Sequence, residues 1–201
     1  MSPFRRFRKS SATQSEAHKG HHRYEHWYLD NQVYFITARC RDRYPAFANE
    51  QAKLVFWDRF EFYSNEFGFV PWVTSLLDNH YHTLGYLRVG ENLGPMMQRL
   101  HGSVAKLVND LLPARCKPFW REAGNRDYFD GCIRSERQCR LAYNYTLRQS
   151  VRHGIAADWQ SYRHTRAAID LERGVARALE RGAFLENVPY KRYAASRRTG
   201  R

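Results

Sequence analysis

The sequence predicts an α+β protein: a ferredoxin-like (RRM-like) antiparallel sheet of split βαβ topology, followed by a further helix. Three observations carry that prediction. Of the 201 residues, 43% are hydrophobic and 15% aromatic, enough for a packed core rather than a disordered chain. Segments rich in β-formers alternate with segments of helical spacing, in the order strand, helix, strand, strand, helix, strand, helix. Gly, Pro and Asp-Asn steps fall between these segments, where turns and stops belong. A chain of this length buries roughly 70% of its unfolded surface, so one domain with tails is the simplest division.

Each element has its own signal. Residues 1–24 are polar and basic and read as a flexible arm. Val33 to Ala38 is a β-rich run and the first strand. Arg39 to Pro45 breaks it. Ala48 to Phe67 has helical spacing, with Leu54, Trp57, Phe60 and Tyr63 at three-residue steps and Phe56 beside them; Gly68 ends it. Phe69 to Leu77 is the second strand. Asp78-Asn79 suits a tight turn because both residues tolerate left-handed backbone. His80 to Leu87 is the returning strand. Glu91 to Leu112 is the second helix, its apolar side formed by Leu93, Met96, Met97, Leu100, Val104, Leu107 and Leu111, with Pro113 as its stop. Phe119-Trp120 and Tyr128 to Ile133 are short strand candidates. Ser135 opens a third helix that runs to His153, with Gly154 as its C-terminal stop. A polar loop, an amphipathic segment over Ala167 to Arg181 and a basic tail complete the chain. The division is a basic arm over 1–24, a folded domain over 25–165, and a helical segment with tail over 166–201.

Composition excludes several classes of function. No apolar run approaches the ~20 residues of a membrane helix, so no membrane is expected as a partner. The basic start has no apolar stretch, so no secretory leader is expected. Cys40, Cys116, Cys132 and Cys139 show no CxxC spacing and read as free thiols of a reducing compartment. With 33 Lys+Arg against 20 Asp+Glu the formal charge is +13, which points to a polyanion, most simply nucleic acid. Arginine far outnumbers lysine, and its guanidinium binds phosphate in a bidentate fork. A cytoplasmic, nucleoid-associated location follows as the expectation.

Two patterns carry chemistry. In His80-Tyr81-His82, residues two apart on a strand share a face, their Cα atoms ~6.6 Å apart. Two imidazoles so placed can chelate a divalent ion, although two ordinary strand histidines would look the same. Tyr145 and Gln149 are four apart on the third helix and share one face. A tyrosine can act as a nucleophile, and a glutamine carbonyl is an oxygen ligand for a hard cation. Tyr143, two residues earlier, is the rival nucleophile and faces another direction. A helix tyrosine packed in the core is the plain alternative for either.

Together the two patterns resemble the single-tyrosine HUH transposases, above all the REP-associated tyrosine transposases and their insertion-sequence relatives. The resemblance runs from about Tyr34 to Ser161. It is carried by FITARCRDR, WVTSLLDNHYHTLGYL, ENLGPMMQRLHGSVAKLVN, PFWREAGNRDYF and YTLRQSVRHGI. It implies that His80 and His82 bind metal, that Gln149 is the third ligand, and that Tyr145 is the nucleophile. Gln149 stands where the REP-associated branch more often has Asn followed by Pro, and Ser150 stands where Pro is common. Asp78 replaces a usual Pro, and Tyr81 is bulkier than the usual aliphatic residue. None of these departures removes a catalytic atom.

The resemblance implies a Mg²⁺- or Mn²⁺-dependent endonuclease and strand transferase acting on single-stranded DNA with hairpins. Tyr145 would release a 3′-hydroxyl and form a 5′-phosphotyrosine bond, with no nucleotide cofactor. Arg39, Arg41 and Arg43 after the first strand, and Arg148 and Arg152 on the third helix, are the expected DNA contacts, with Arg5, Arg6, Arg8 and Lys9 in the arm. Tyr86 and Tyr128 are candidates for stacking on unpaired bases. A monomer is favoured over a dimer. The competing reading is a non-catalytic RNA- or DNA-binding ferredoxin-like module, against which no RNP-like run of Gly and aromatic residues appears on the strands.

Overall fold

The structure, a computed structural model, describes residues 28–121 and 127–184. The expected arm over 1–24 and the basic tail lie outside the described residues. Strand β1 spans Gln32–Arg39, helix α1 Glu50–Phe67, and β2 Phe69–Leu76. Strand β3 spans His80–Leu87, helix α2 Leu93–Asn109, and β4 Phe129–Ile133. Helices α3 (Glu136–Leu147) and α4 (Gln149–Arg152), strand β5 (Thr165–Ala167) and helix α5 (Leu171–Glu180) follow. The sheet order is β4-β1-β3-β2-β5, every neighbouring pair antiparallel. The first four strands and α1 and α2 make the predicted split βαβ arrangement.

Alternation along the strands sorts side chains to two cores. Tyr34, Ile36 and Ala38 of β1 and Tyr81 and Leu87 of β3 pack under α1 and α2. Val33 and Phe35 of β1 and Leu84 and Tyr86 of β3 face α3 and α5. His80 and His82 share the parity of Leu84 and Tyr86, so they lie on the α3 side at the Arg39 end of β1.

Several expectations need correction. The buried stripe of α1 is Lys53, Phe56, Trp57, Phe60 and Ser64, while Leu54 is exposed. Three-residue steps turn 300°, so a stripe through Leu54, Trp57, Phe60 and Tyr63 drifts half way round the helix. Helix α2 ends at Asn109 rather than Leu112, because the Asn109 carboxamide accepts from Cys116 N at 2.6 Å and donates to Cys116 O at 3.2 Å. Leu107, on the outer face of α2, and Leu111, beyond its end, are exposed rather than part of the apolar side. Phe119-Trp120 forms no strand, only a single bridge between Trp120 and Cys40. The Asp78-Asn79 turn needs no left-handed residue; among the described non-glycine residues, Asn31, Asp42, Arg43 and Phe184 have positive φ.

The third helix breaks at Arg148 (φ −92°, ψ 11°). There the buried Gln149 side chain donates to Tyr145 O at 2.9 Å, competing for a carbonyl of the helical ladder. Strand β5 widens the sheet, and α5 follows it, capped by Asp170 Oδ1 on the amides of Glu172 and Arg173. The boundary expected at 165/166 thus runs through β5, and residues to Phe184 belong to the same folded body. Gly174 lets α5 approach closely, since a Cβ there would stand 2.9 Å from the Trp72 ring. Among the described residues no helix is long and apolar enough to cross a membrane. All four cysteines are free thiols.

Candidate active site

The candidate site sits on the α3 side of the β1–β3 pair. Register brings Thr37 opposite His82 and Arg39 opposite His80. Thr37 Oγ1 lies 2.7 Å from His82 Nδ1. Asn79 Oδ1 lies 2.6 Å from His80 Nδ1 and accepts its N–H. An amide oxygen only accepts, so the neutral His80 ring carries its proton on Nδ1 and keeps its Nε2 lone pair for a ligand, while the Thr37 hydroxyl fixes the orientation of the His82 ring. Asn79 is itself fixed: its side-chain amide donates to Arg43 O at 3.1 Å, and its carbonyl accepts from Cys40 N at 2.8 Å. The neighbouring Asp78 pairs with Lys53 Nζ at 2.8 Å, tying the turn to α1.

Both histidines are buried, at 4% exposure each. Burial lowers the His80 pKa to about 3, assisted by the charge of Arg39, the His153 ring and Arg43. His82 is likewise held well below the ordinary imidazole value by burial, then by His80, Arg39, His153 and Arg152. Neutral imidazole is the metal-binding form, so the donor chemistry fits a divalent cation. The two ring centres are 5.1 Å apart with planes at 86°. Among the described residues, however, no three His, Cys, Asp or Glu side chains stand together as a ready metal cluster.

Tyr145 reaches this face from α3. Its half-buried ring meets His82 edge-on at 5.2 Å and Phe35 at 6.1 Å. Phe35 in turn stacks on His82 at 5.7 Å. The Arg152 guanidinium lies 5.0 Å from the centre of the Tyr145 ring. Tyr143 points elsewhere: it is buried, and its hydroxyl donates to Ile169 O at 3.1 Å. Gln149 is buried with its amide on Tyr145 O, and its Oε1 takes no hydrogen bond among the described residues. A carboxamide oxygen is the atom through which a glutamine could hold a hard cation.

The expected DNA-binding arginines divide. The charges of Arg39, Arg43 and Arg152 all bear on the histidine pair. Arg41 is turned away, donating to Lys117 O and pairing with Asp42. Arg148 is exposed at the break between α3 and α4. Of the stacking candidates, Tyr86 is buried with its hydroxyl on Asn31 Oδ1, and Tyr128 is partly buried against the core.

Sequence reasoning missed three members of the site. Thr37 and Phe35 come from another strand, and only the register reveals them. His153, the expected last residue of the third helix, stands with its ring centre 5.1 Å from that of His80. Its spacing of four from Gln149 was the available signal.

Comparison with solved structures finds this fold in a REP-associated tyrosine transposase, solved bound to a REP hairpin. The two match with a TM-score of 0.61 and 18% identity, over 79% of this chain and 88% of that one. At that identity the likeness shows the fold. A candidate transposase from Deinococcus radiodurans matches with a TM-score of 0.42 and 13% identity, over 61% of this chain and 89% of that one. No protein-family model matches the chain, and no curated protein does.

Proposed function

We propose that the chain is a metal-dependent single-stranded DNA endonuclease and strand transferase, a transposase that acts beside DNA hairpins. The observation that carries this reading is the meeting of the Tyr145 ring with His82, 5.2 Å from centre to centre, on one face of the sheet. A phenol and a pair of neutral imidazoles from different elements converge there, within reach of three arginine charges. The fold shared with a hairpin-bound tyrosine transposase supports the substrate class.

In this reading His80, His82 and Gln149 hold Mg²⁺ or Mn²⁺. When bound there, such an ion would supply Lewis-acid polarisation of a phosphate oxygen and offset transition-state charge. Tyr145 Oη attacks phosphorus, forming the new O–P bond as the bond to the 3′ oxygen breaks. The phenol loses its proton, the 3′ oxygen gains one, and the phosphoryl group stays on tyrosine as a 5′-phosphotyrosine ester. Rejoining is the same exchange run backwards with another 3′-hydroxyl, so no water or nucleotide cofactor enters. Asn79 holds His80 in the tautomer with Nε2 open to a metal, and Thr37 orients the His82 ring. Arg39, Arg43 and Arg152 attract and orient the phosphodiester backbone.

The test is a covalent-adduct assay on hairpin-containing single-stranded DNA labelled at its 3′ end, with Mn²⁺ or Mg²⁺ and a randomised flank. A metal-dependent shifted band on a denaturing gel, lost in Tyr145→Phe and His80→Ala and kept in Tyr143→Phe, is the expected result. Salt-sensitive binding without any adduct would replace this reading with a non-catalytic nucleic-acid-binding module. Loss in Tyr143→Phe alone would move the nucleophile.

A further inference from the structure

We infer that His153 is an additional metal ligand, so that this site presents three imidazoles and favours a first-row transition ion over Mg²⁺. The inference rests on the reading of His80 and His82 as a metal-binding pair and extends it to a residue that reading does not use.

The argument is geometric. Two imidazoles on one ion, with metal–nitrogen bonds of about 2.1 Å, have ring centres about 5 Å apart at tetrahedral or octahedral angles. The His80–His82 separation is 5.1 Å, and the His80–His153 separation is also 5.1 Å, with ring planes at 64°. Each of the two rings therefore stands from His80 at the spacing of a shared ion.

The local fold explains why His153 is there. Helix α4 ends in a Schellman motif: Gly154 has φ 67°, its N–H bonds Val151 O at 3.0 Å, and Ile155 N bonds Ser150 O at 2.9 Å. His153, the last residue before the left-handed glycine, is carried by that ending to the histidine pair. Its own N–H is satisfied by Gln149 O at 3.0 Å, one turn back. His153 and Gln149 thus stand on one face of α4 and can approach the same ion.

The three histidines do not yet form a closed cluster among the described residues. The inference requires the His153 side chain to move toward the pair on metal binding, and its exposed position leaves room for that. A site of three imidazole nitrogens with one carboxamide oxygen suits Mn²⁺, Co²⁺ or Zn²⁺ better than Mg²⁺, which prefers oxygen ligands.

Calorimetric titration of the full chain with Mn²⁺ and with Mg²⁺, without DNA, tests this. His153→Ala should weaken Mn²⁺ binding by about tenfold or more and change Mg²⁺ binding much less. His80→Ala serves as the control for the pair itself. With Co²⁺ as the probe, paramagnetically shifted imidazole N–H signals should number three in the wild type and two in His153→Ala. Mn²⁺ affinity unchanged in His153→Ala, with two shifted signals in both proteins and binding lost in His80→Ala, would overturn the inference and leave the histidine pair standing. No metal binding by the wild type, or binding indifferent to His80→Ala, would overturn both.

Discussion

Thr37 shows how much one hydroxyl can decide. It is the partner of His82 Nδ1 at 2.7 Å, and with it the imidazole has a fixed orientation. Thr37→Val keeps the shape and deletes the partner, so metal affinity should fall about 10–100-fold, while Thr37→Ser should retain it. Titration with Mn²⁺ checks this, and equal affinities in the three proteins would sink the orienting role. Tyr143 is the contrasting case. Its hydroxyl is bound to Ile169 O, so Tyr143→Phe should cost about 1 kcal/mol in urea unfolding and leave adduct formation intact. The histidine pair, Tyr145 and Gln149 could be read from spacing because strand and helix periods are local properties. Thr37 could not, because nothing in the sequence near His82 names the residue paired with it across the sheet.

At the scale of elements, β1, α1, β2, β3 and α2 were legible because each is a long segment with a strong period or cap. Gly68, in left-handed conformation at φ 72°, closes α1 where the sequence expects. The break between α3 and α4 was hidden because its cause is a side chain competing with the ladder of its own helix. Strand β5 was hidden because three residues carry no pattern of their own; its hydrogen bonds to β2 define it. Docking of the following helix α5 depends on Gly174 against Trp72. Gly174→Val should destabilise by about 1–3 kcal/mol, with faster amide exchange in β5 and α5 than elsewhere. A wild-type unfolding midpoint would show that α5 contributes little to this body.

Two predictions concern the whole molecule. Its stability should drain in acid through buried histidines. His101 stacks on Trp120, binds the Tyr81 hydroxyl at 3.0 Å, and has its pKa pushed down to about 3 by burial. An unfolded imidazole takes its proton near pH ~6.5, so between these values the unfolded state holds more protons. Stability therefore rises with pH across that window and is lost as pH falls from about 6.5 toward 3, by up to about 1.4 kcal/mol per unit for one such residue. Denaturant midpoints measured from pH 7 to 4 should show a shallower slope in His101→Gln; an identical slope would assign the acid sensitivity to other groups. The second prediction concerns the charge of +13. Single-stranded DNA affinity should fall with salt, the logarithmic slope decreasing by about 0.7 for each phosphate contact removed. Arg39→Ala and Arg43→Ala should each lower that slope. Arg41→Ala should not, since that guanidinium is held by Lys117 O and Asp42.

The sequence by itself determined the α+β class, the order of the elements from β1 to α3, the basic character, and which residue types share a local face. Periodicity and composition act over a few neighbouring residues, so one chain is enough to read them. Tertiary structure alone decided which faces meet. Pairing of β1 with β3 set Thr37 and Arg39 beside the histidines, the helix break at Arg148 and the left-handed Gly154 that ends α4 brought His153 to His80, and the fold of the turn drew Arg41 away. These placements are contacts between residues far apart in the chain, fixed by the packing of the whole sheet and invisible to any local pattern.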